Sequence, residues 1–123
     1  MMLTTLNAIP PILVWKDVLA RVIQGEQLTL AVVELPAGGL VPEHRHANEQ
    51  IGVCLQGTLT FRVGQETRDL GPGGSWRILA HVPHEVQAGP EGAVVVEAFA
   101  PVREDWADLE QADPATPRWP SAR

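Results

Sequence analysis

Four side chains near the middle of the sequence could hold one ion. The stretch PEHRHANEQIGVCLQG, residues 42–57, carries two imidazoles one residue apart, His44 and His46, followed by an amide at Gln50. In a strand, residues i and i+2 leave the same face. His44 and His46 then stand about 6–7 Å apart at their bases, and imidazoles leaning together from that spacing can meet one metal ion at about 2.0–2.1 Å each. Gln50 has the same parity if the strand resumes after a bend at Ala47-Asn48. Its neighbours on that face, Gly52 and Cys54, are small and leave room for a ligand. A second segment, RILAHVPHEV, brings His84 directly after Pro83, whose ring fixes the backbone where another strand begins. Three imidazoles from two segments would form a three-nitrogen face with an open position, suited to Lewis-acid or water-activating chemistry. An H-x-H pair also occurs where no metal binds, so the pair alone does not decide. His81 reads as a loop side chain at a pocket mouth or in solvent. Arg45 and Glu49 have the opposite parity and should face away.

The elements that must position these groups are short strands. Eleven glycines and eleven prolines punctuate the chain. Between them lie β-rich runs at 28–35, 51–55, 58–63 and 93–100. Many short strands joined by turns indicate a sandwich or barrel. Gln24-Gly25-Glu26 should turn a hairpin between 18–23 and 28–35, Gly64-Gln65 another, and GPGG at 71–74 is a strong breaker. Leu59, Phe61 and Val63 share one face of LTFRV, as a period of two requires. EQIGVCL and VVVEAFA differ, being largely apolar on both faces. One face can line a core or pocket. The other needs cover, which a second subunit would supply, because large exposed apolar patches are rare on monomers. A homodimer is therefore expected.

The chain's 123 residues fit one domain. Residues 1–24 read as an N-terminal arm with the first strand or strands, 25–104 as the barrel, and 105–123 as a tail. WADLE could form a short helical turn, and Trp106 should pack the tail onto the barrel. The proline-rich stretch after it is expected to be loose or draped. Fifteen acids against nine bases give a net charge of −6, which argues against a nucleic-acid partner. Cys54 has no second cysteine to pair with and reads as a small buried hydrophobe. No apolar run approaches about 20 residues, so no membrane-spanning helix is expected. The start, MMLTTLNAIPPIL, lacks a basic segment before its apolar residues, and a cytoplasmic protein is the expectation.

At this point the motifs resemble a known family. GGLVPEHRHANEQIGVCLQG resembles the first cupin motif: glycine, five residues, H-x-H, a short gap, glutamate, six residues, glycine. Five residues separate Gly38 from His44 and six separate Gln50 from Gly57, so Gln50 occupies the usual glutamate position. GPGGSWRILAHVPHEV resembles the second motif more loosely. Leu79 replaces its proline, His81 its glycine and Ala88 its asparagine, while His84 matches its histidine. The resemblance implies an all-β fold, a single antiparallel jelly-roll barrel, with a metal inside and a dimeric assembly.

HANEQIGVCLQG and EAFAPVREDW look, more narrowly, like the pectin-degradation cupins, which open the ring of 4,5-unsaturated uronates. Carried over by position, that resemblance implies one divalent transition metal held by His44, His46, Gln50 and His84. Nickel, zinc, iron, manganese and copper all suit such ligands. It also implies an acid, a phenylalanine and an arginine beside the metal, at Glu97, Phe99 and Arg103, with Glu97 replacing the family's aspartate. An all-neutral ligand set leaves the metal its full charge, at some cost in affinity. Glu97 is then a candidate general acid or base, or else a salt-bridge partner of Arg103 or an exposed acid. Arg103 could clamp a substrate carboxylate with its fork, or lie in a solvated turn. The expected function is a metal-dependent enzyme acting on a small carboxylate-bearing sugar. An iron-dependent dioxygenase and a non-catalytic small-molecule-binding module are the alternatives.

Overall fold

The computed structural model describes residues 2–120. Eight antiparallel strands dominate it: β1 Ile12–Trp15, β2 Val18–Gln24, β3 Thr29–Leu35, β4 Leu40–His44, β5 Glu49–Val63, β6 Glu66–Leu70, β7 Ser75–Ile78 and β8 His84–Ala100. They lie in the order β1-β2-β3-β8-β5-β6, with β4 on β8 and β7 on β5. The result is the jelly-roll barrel that the strand pattern and the motifs implied. The turns fall at Gly25, Gly64-Gln65 and GPGG, as the glycines dictate. No helix among the described residues is long and apolar enough to cross a membrane.

The frame is the pairing of β5 with β8, which runs from Glu49↔Ala100 to Val63↔His84. Sequence reading divides β5 into two runs at Gln56-Gly57. The structure keeps it continuous, with register shifts at Cys54/Gln56 and Gly57/Leu59. Such bulges bend a strand without ending its pairing. Gly57 makes the bend there, with φ of 79°, and a Cβ on it would collide with the Gly92 carbonyl. The two halves of β5 and β8 can therefore serve opposite walls of one barrel. Alternation sends Leu59, Phe61, Val95 and Phe99 into the core, each at most 5% exposed. The outward face of the same strands is also apolar: Ile51 is 54% exposed, and Leu30, Val53, Val96 and Ala98 are half-buried around it.

The tail is draped and anchored. After a 3-10 turn at Glu104–Trp106 it pairs with the first strand, with Leu13 N donating to Glu110 O and Ala112 N to Pro11 O. It then crosses a buried ion pair, Arg21 to Glu34 at 2.9 Å. Arg21 also donates to Ala115 O, and Arg118 N donates to the same Glu34 carboxylate. Residues 121–123 of the tail lie outside the described residues.

Candidate metal centre

The end of β4, the start of β8 and the start of β5 converge inside one mouth of the barrel. His44 closes β4 and is paired directly with His84, the first residue of β8. Their ring centroids are 4.2 Å apart. His46 lies just beyond β4, in the bend leading to β5, so the H-x-H pair is only half on a strand. The bend is held on both sides. His81 N donates to His46 O at 2.8 Å, and the Asn48 amide donates to the carbonyls of Pro101 and Val102. His81 itself is exposed with φ of 64°, a left-handed conformation that explains why glycine is usual at this motif position. Arg45 and Glu49 face solvent, as parity requires.

Each of the three imidazoles is fixed in one tautomer. Nδ1 of His44 meets Pro42 O at 2.8 Å, Nδ1 of His46 meets Asn48 O at 2.9 Å, and Nδ1 of His84 meets Val82 O at 2.9 Å. A carbonyl oxygen only accepts, so each Nδ1 carries the proton and each neutral ring turns a bare Nε2 inward. Burial holds all three rings below the ordinary histidine value, helped by the positive charge of Arg103. For His84, buried deepest, the value falls to about 4. The rings are therefore neutral near pH 7. One ligand atom from each lies within 4.8 Å of the others. His84 Nε2 is buried with no hydrogen-bond partner among the described residues.

Gln50 completes the cluster. It pairs with Phe99 on β8 and Ile78 on β7, and is 6% exposed. Its Oε1 lies 3.1 Å from His46 Nε2. Its Nε2 donates to Glu97 Oε1 at 2.6 Å, so the amide oxygen is the atom facing the rings. Two acceptors, Gln50 Oε1 and a neutral His46 Nε2, thus point at each other. Lone pairs so arranged repel unless a cation lies between them, and the donor set of three nitrogens and one amide oxygen fits a divalent transition metal.

Glu97, Phe99 and Arg103 share the adjoining wall. Glu97 is neither exposed nor bonded to Arg103. Its Oε1 accepts from Gln50 and from the Trp76 indole at 3.0 Å. Burial pushes its carboxyl up to about 7, against the opposing pull of those two hydrogen bonds and of Arg103. Phe99 stands edge-on to His46 and to Trp106. Arg103 is buried, although its turn neighbours Glu104 and Asp105 are exposed. Its guanidinium lies 4.8 Å from the centre of the Phe99 ring and 4.2 Å from that of Trp106. The fork expected to be open for a substrate carboxylate is closed on Asp105, with Nε to Oδ1 at 3.0 Å and Nη2 to Oδ2 at 2.9 Å. An acid two residues downstream of the arginine was the signal for this.

Sequence reasoning missed two further groups. Trp76, buried on β7, was legible as the inward member of the alternating run SWRI. Trp15, 38% exposed, sits 5.1 Å from the His44 ring and borders the mouth of the cavity together with Trp106. Trp106 therefore both packs the tail and lines the cavity.

Residues 31–99, more than half of the chain, match the family model described as a cupin domain. No curated protein matches the sequence. Among solved structures, an RmlC-like cupin from Shewanella frigidimarina superposes with a TM-score of 0.80 at 19% identity, over 86% of this chain and 96% of that one. KdgF from Halomonas sp. gives 0.72 at 25% identity, over 77% and 88%. Oxalate decarboxylase from Bacillus subtilis gives 0.70 at 22%, over 80% of this chain and 28% of that one. With its barrel, its two motifs and the matching family model, the chain belongs to the cupins.

Proposed function

We propose that this cupin is a metal-dependent enzyme that opens or tautomerises the ring of 4,5-unsaturated uronates. The observation that carries the metal reading is the facing pair of acceptors, Gln50 Oε1 and His46 Nε2, inside a cluster of fixed, neutral imidazoles. The reaction reading is supported by the glutamine in the ligand set and by Glu97, Phe99 and Arg103 on the next wall. The 25% identity to KdgF, a pectin-degradation cupin, adds to it.

A metal bound by these neutral ligands supplies Lewis-acid polarisation of a substrate oxygen. The chain's own residues do the rest. Arg103 sets positive charge beside the site, and a uronate carboxylate would compete with Asp105 for its fork. Trp15, Phe99 and Trp106 offer apolar faces that exclude water from one side of a sugar ring. Glu97, with its carboxyl near neutrality, is the acid on this wall suited to moving a proton. The outward face around Ile51 is the surface a second copy would cover, and light scattering at micromolar concentration checks that homodimer.

Mixing metal-loaded protein with an unsaturated uronate tests the activity. Loss of the ultraviolet absorbance of the conjugated double bond is expected. A steady absorbance with each of the five candidate metals would remove the assignment.

A further inference from the structure

Glu97, Gly52 and Trp76 occupy one row across three strands, since Gly52 is paired with Glu97 on β8 and with Trp76 on β7. Two strand spacings, about 9.6 Å, separate the outer members of that row. The indole closes the distance by crossing over the glycine. A Cβ on Gly52 would stand 2.6 Å from Trp76 Nε1. The crossing brings Nε1 to 3.0 Å from Glu97 Oε1. An indole N–H can only donate, so that carboxyl oxygen accepts from it, and Gln50 Nε2 donates to the same oxygen at 2.6 Å. Gln50 is not opposite Glu97 but two residues along on the same face, opposite Phe99. The glutamate's extra methylene, relative to the family's aspartate, gives it reach along that diagonal.

We propose that Glu97 is a positioning residue for Gln50: its Oε1, anchored by the Trp76 indole, takes the amide NH2 and so turns the amide oxygen toward the three imidazoles. An amide has two nearly isosteric ends, and the reversed end would present N–H groups to the ion. Glu97 and Trp76 remove that choice before any ligand arrives. Groups that orient metal ligands commonly support affinity by about 10–100-fold. This role is separate from any proton transfer by the same carboxyl. It rests on the reading of His44, His46, His84 and Gln50 as metal ligands.

Cobalt(II) titration followed by visible absorption tests it without an assay of turnover. Glu97→Leu should weaken Co2+ binding about 10–100-fold and alter the ligand-field bands. Glu97→Gln should keep affinity and spectrum, because its amide oxygen can still accept from both donors, even if ring opening is lost. Gln50→Leu with Glu97→Leu should bind no more weakly than Gln50→Leu alone. Wild-type affinity in Glu97→Leu, or additive losses in the double variant, overturns the positioning role. A wild-type protein that binds no Co2+ overturns the metal reading and this inference together. Should Glu97→Leu not fold, the metal-free wild type still decides. The Gln50 side-chain amide protons should exchange far more slowly than those of exposed Gln27, and equal rates overturn the proposal.

Discussion

Two clusters of polar groups are buried in this barrel, and they are built on opposite terms. At the tail anchor, Arg21 and Glu34 face each other at 2.9 Å, and the Ala115 carbonyl and the Arg118 amide complete the set. At the mouth, His44, His46 and His84 spend one nitrogen each on a backbone carbonyl; the other nitrogen of His46 faces the Gln50 oxygen, and that of His84 is buried with no partner among the described residues. Only one fully buried atom of the anchor, Arg21 Nε, lacks a partner among the described residues, and its guanidinium is bonded through both other nitrogens. Burial therefore does not distinguish a structural cluster from a functional one. What distinguishes them is whether the hydrogen bonds close within the protein.

The largest effect should come from breaking the closed cluster. Glu34→Leu leaves Arg21 charged, buried and unpaired, and should cost about 3–5 kcal/mol of unfolding free energy in urea titration. Adding Arg21→Met should recover most of that loss. A double variant as unstable as the single one would mean that the tail, and not the ion pair, carries the stability.

The open cluster should behave the other way. Without metal, His84→Phe should change stability little, because removing Nε2, a buried nitrogen with no partner among the described residues, offsets the loss of the Nδ1 hydrogen bond to Val82 O. With metal at 100-fold over Kd, wild-type stability should rise by about 2.7 kcal/mol, and a chelator should reverse the gain. The His84→Phe variant should show no such shift. Thermal melts of both proteins with and without chelator check this, and a chelator-insensitive wild type would make the mouth as closed as the anchor.

Gly52→Ala sharpens the contrast within the mouth. The added methyl meets the Trp76 ring at 2.6–2.7 Å. It should cost about 1–3 kcal/mol as overpacking, and it should also weaken metal binding by displacing the indole that anchors Glu97. The same loss of stability with undiminished metal affinity would separate Trp76 from the site.

Much of the mouth was legible because parity is a local rule. Alternation alone puts His44 and Gln50 on one face and Arg45 and Glu49 on the other, while the family resemblance places Glu97 and Phe99, which share a face by parity, beside the metal. A sandwich or barrel followed from turn residues and from short β-rich runs, and the family resemblance selected the barrel. What alternation cannot supply is which inward side chains meet. The Trp76–Glu97–Gln50 chain joins residues on three strands, 21 and 47 positions apart. The tail anchor joins Arg21 to a carbonyl 94 positions away. Bulges were hidden for a related reason: Gly57 reads as a break in a strand until its partner strand shows that the pairing continues. Arg103 shows a third limit. Its fork is taken by Asp105, an acid two residues on that the sequence displays but that spacing alone does not aim at the guanidinium.

That fork is an ion pair like the anchor's, and Asp105→Asn should open it. Asp105's carboxyl is held below its ordinary value chiefly by its hydrogen bonds from Arg103. A lowered folded value means that the pair's contribution is present above the unfolded value and is lost as pH falls through the folded one. The carboxylate is 63% exposed, so that contribution is small, about 0–1 kcal/mol. Removing the charge should therefore barely move the melting temperature at pH 7, and the small loss should vanish in acid. Binding should move in the opposite direction. With Asp105 neutral, Arg103 keeps its place between Phe99 and Trp106 but no longer has a competing anion in its fork. A small carboxylate should then bind up to about fivefold more tightly, the same energy returned to the ligand. Calorimetric titration with a uronate measures it. If affinity falls instead, Asp105 serves to hold Arg103 in position, and the fork belongs with the closed clusters after all.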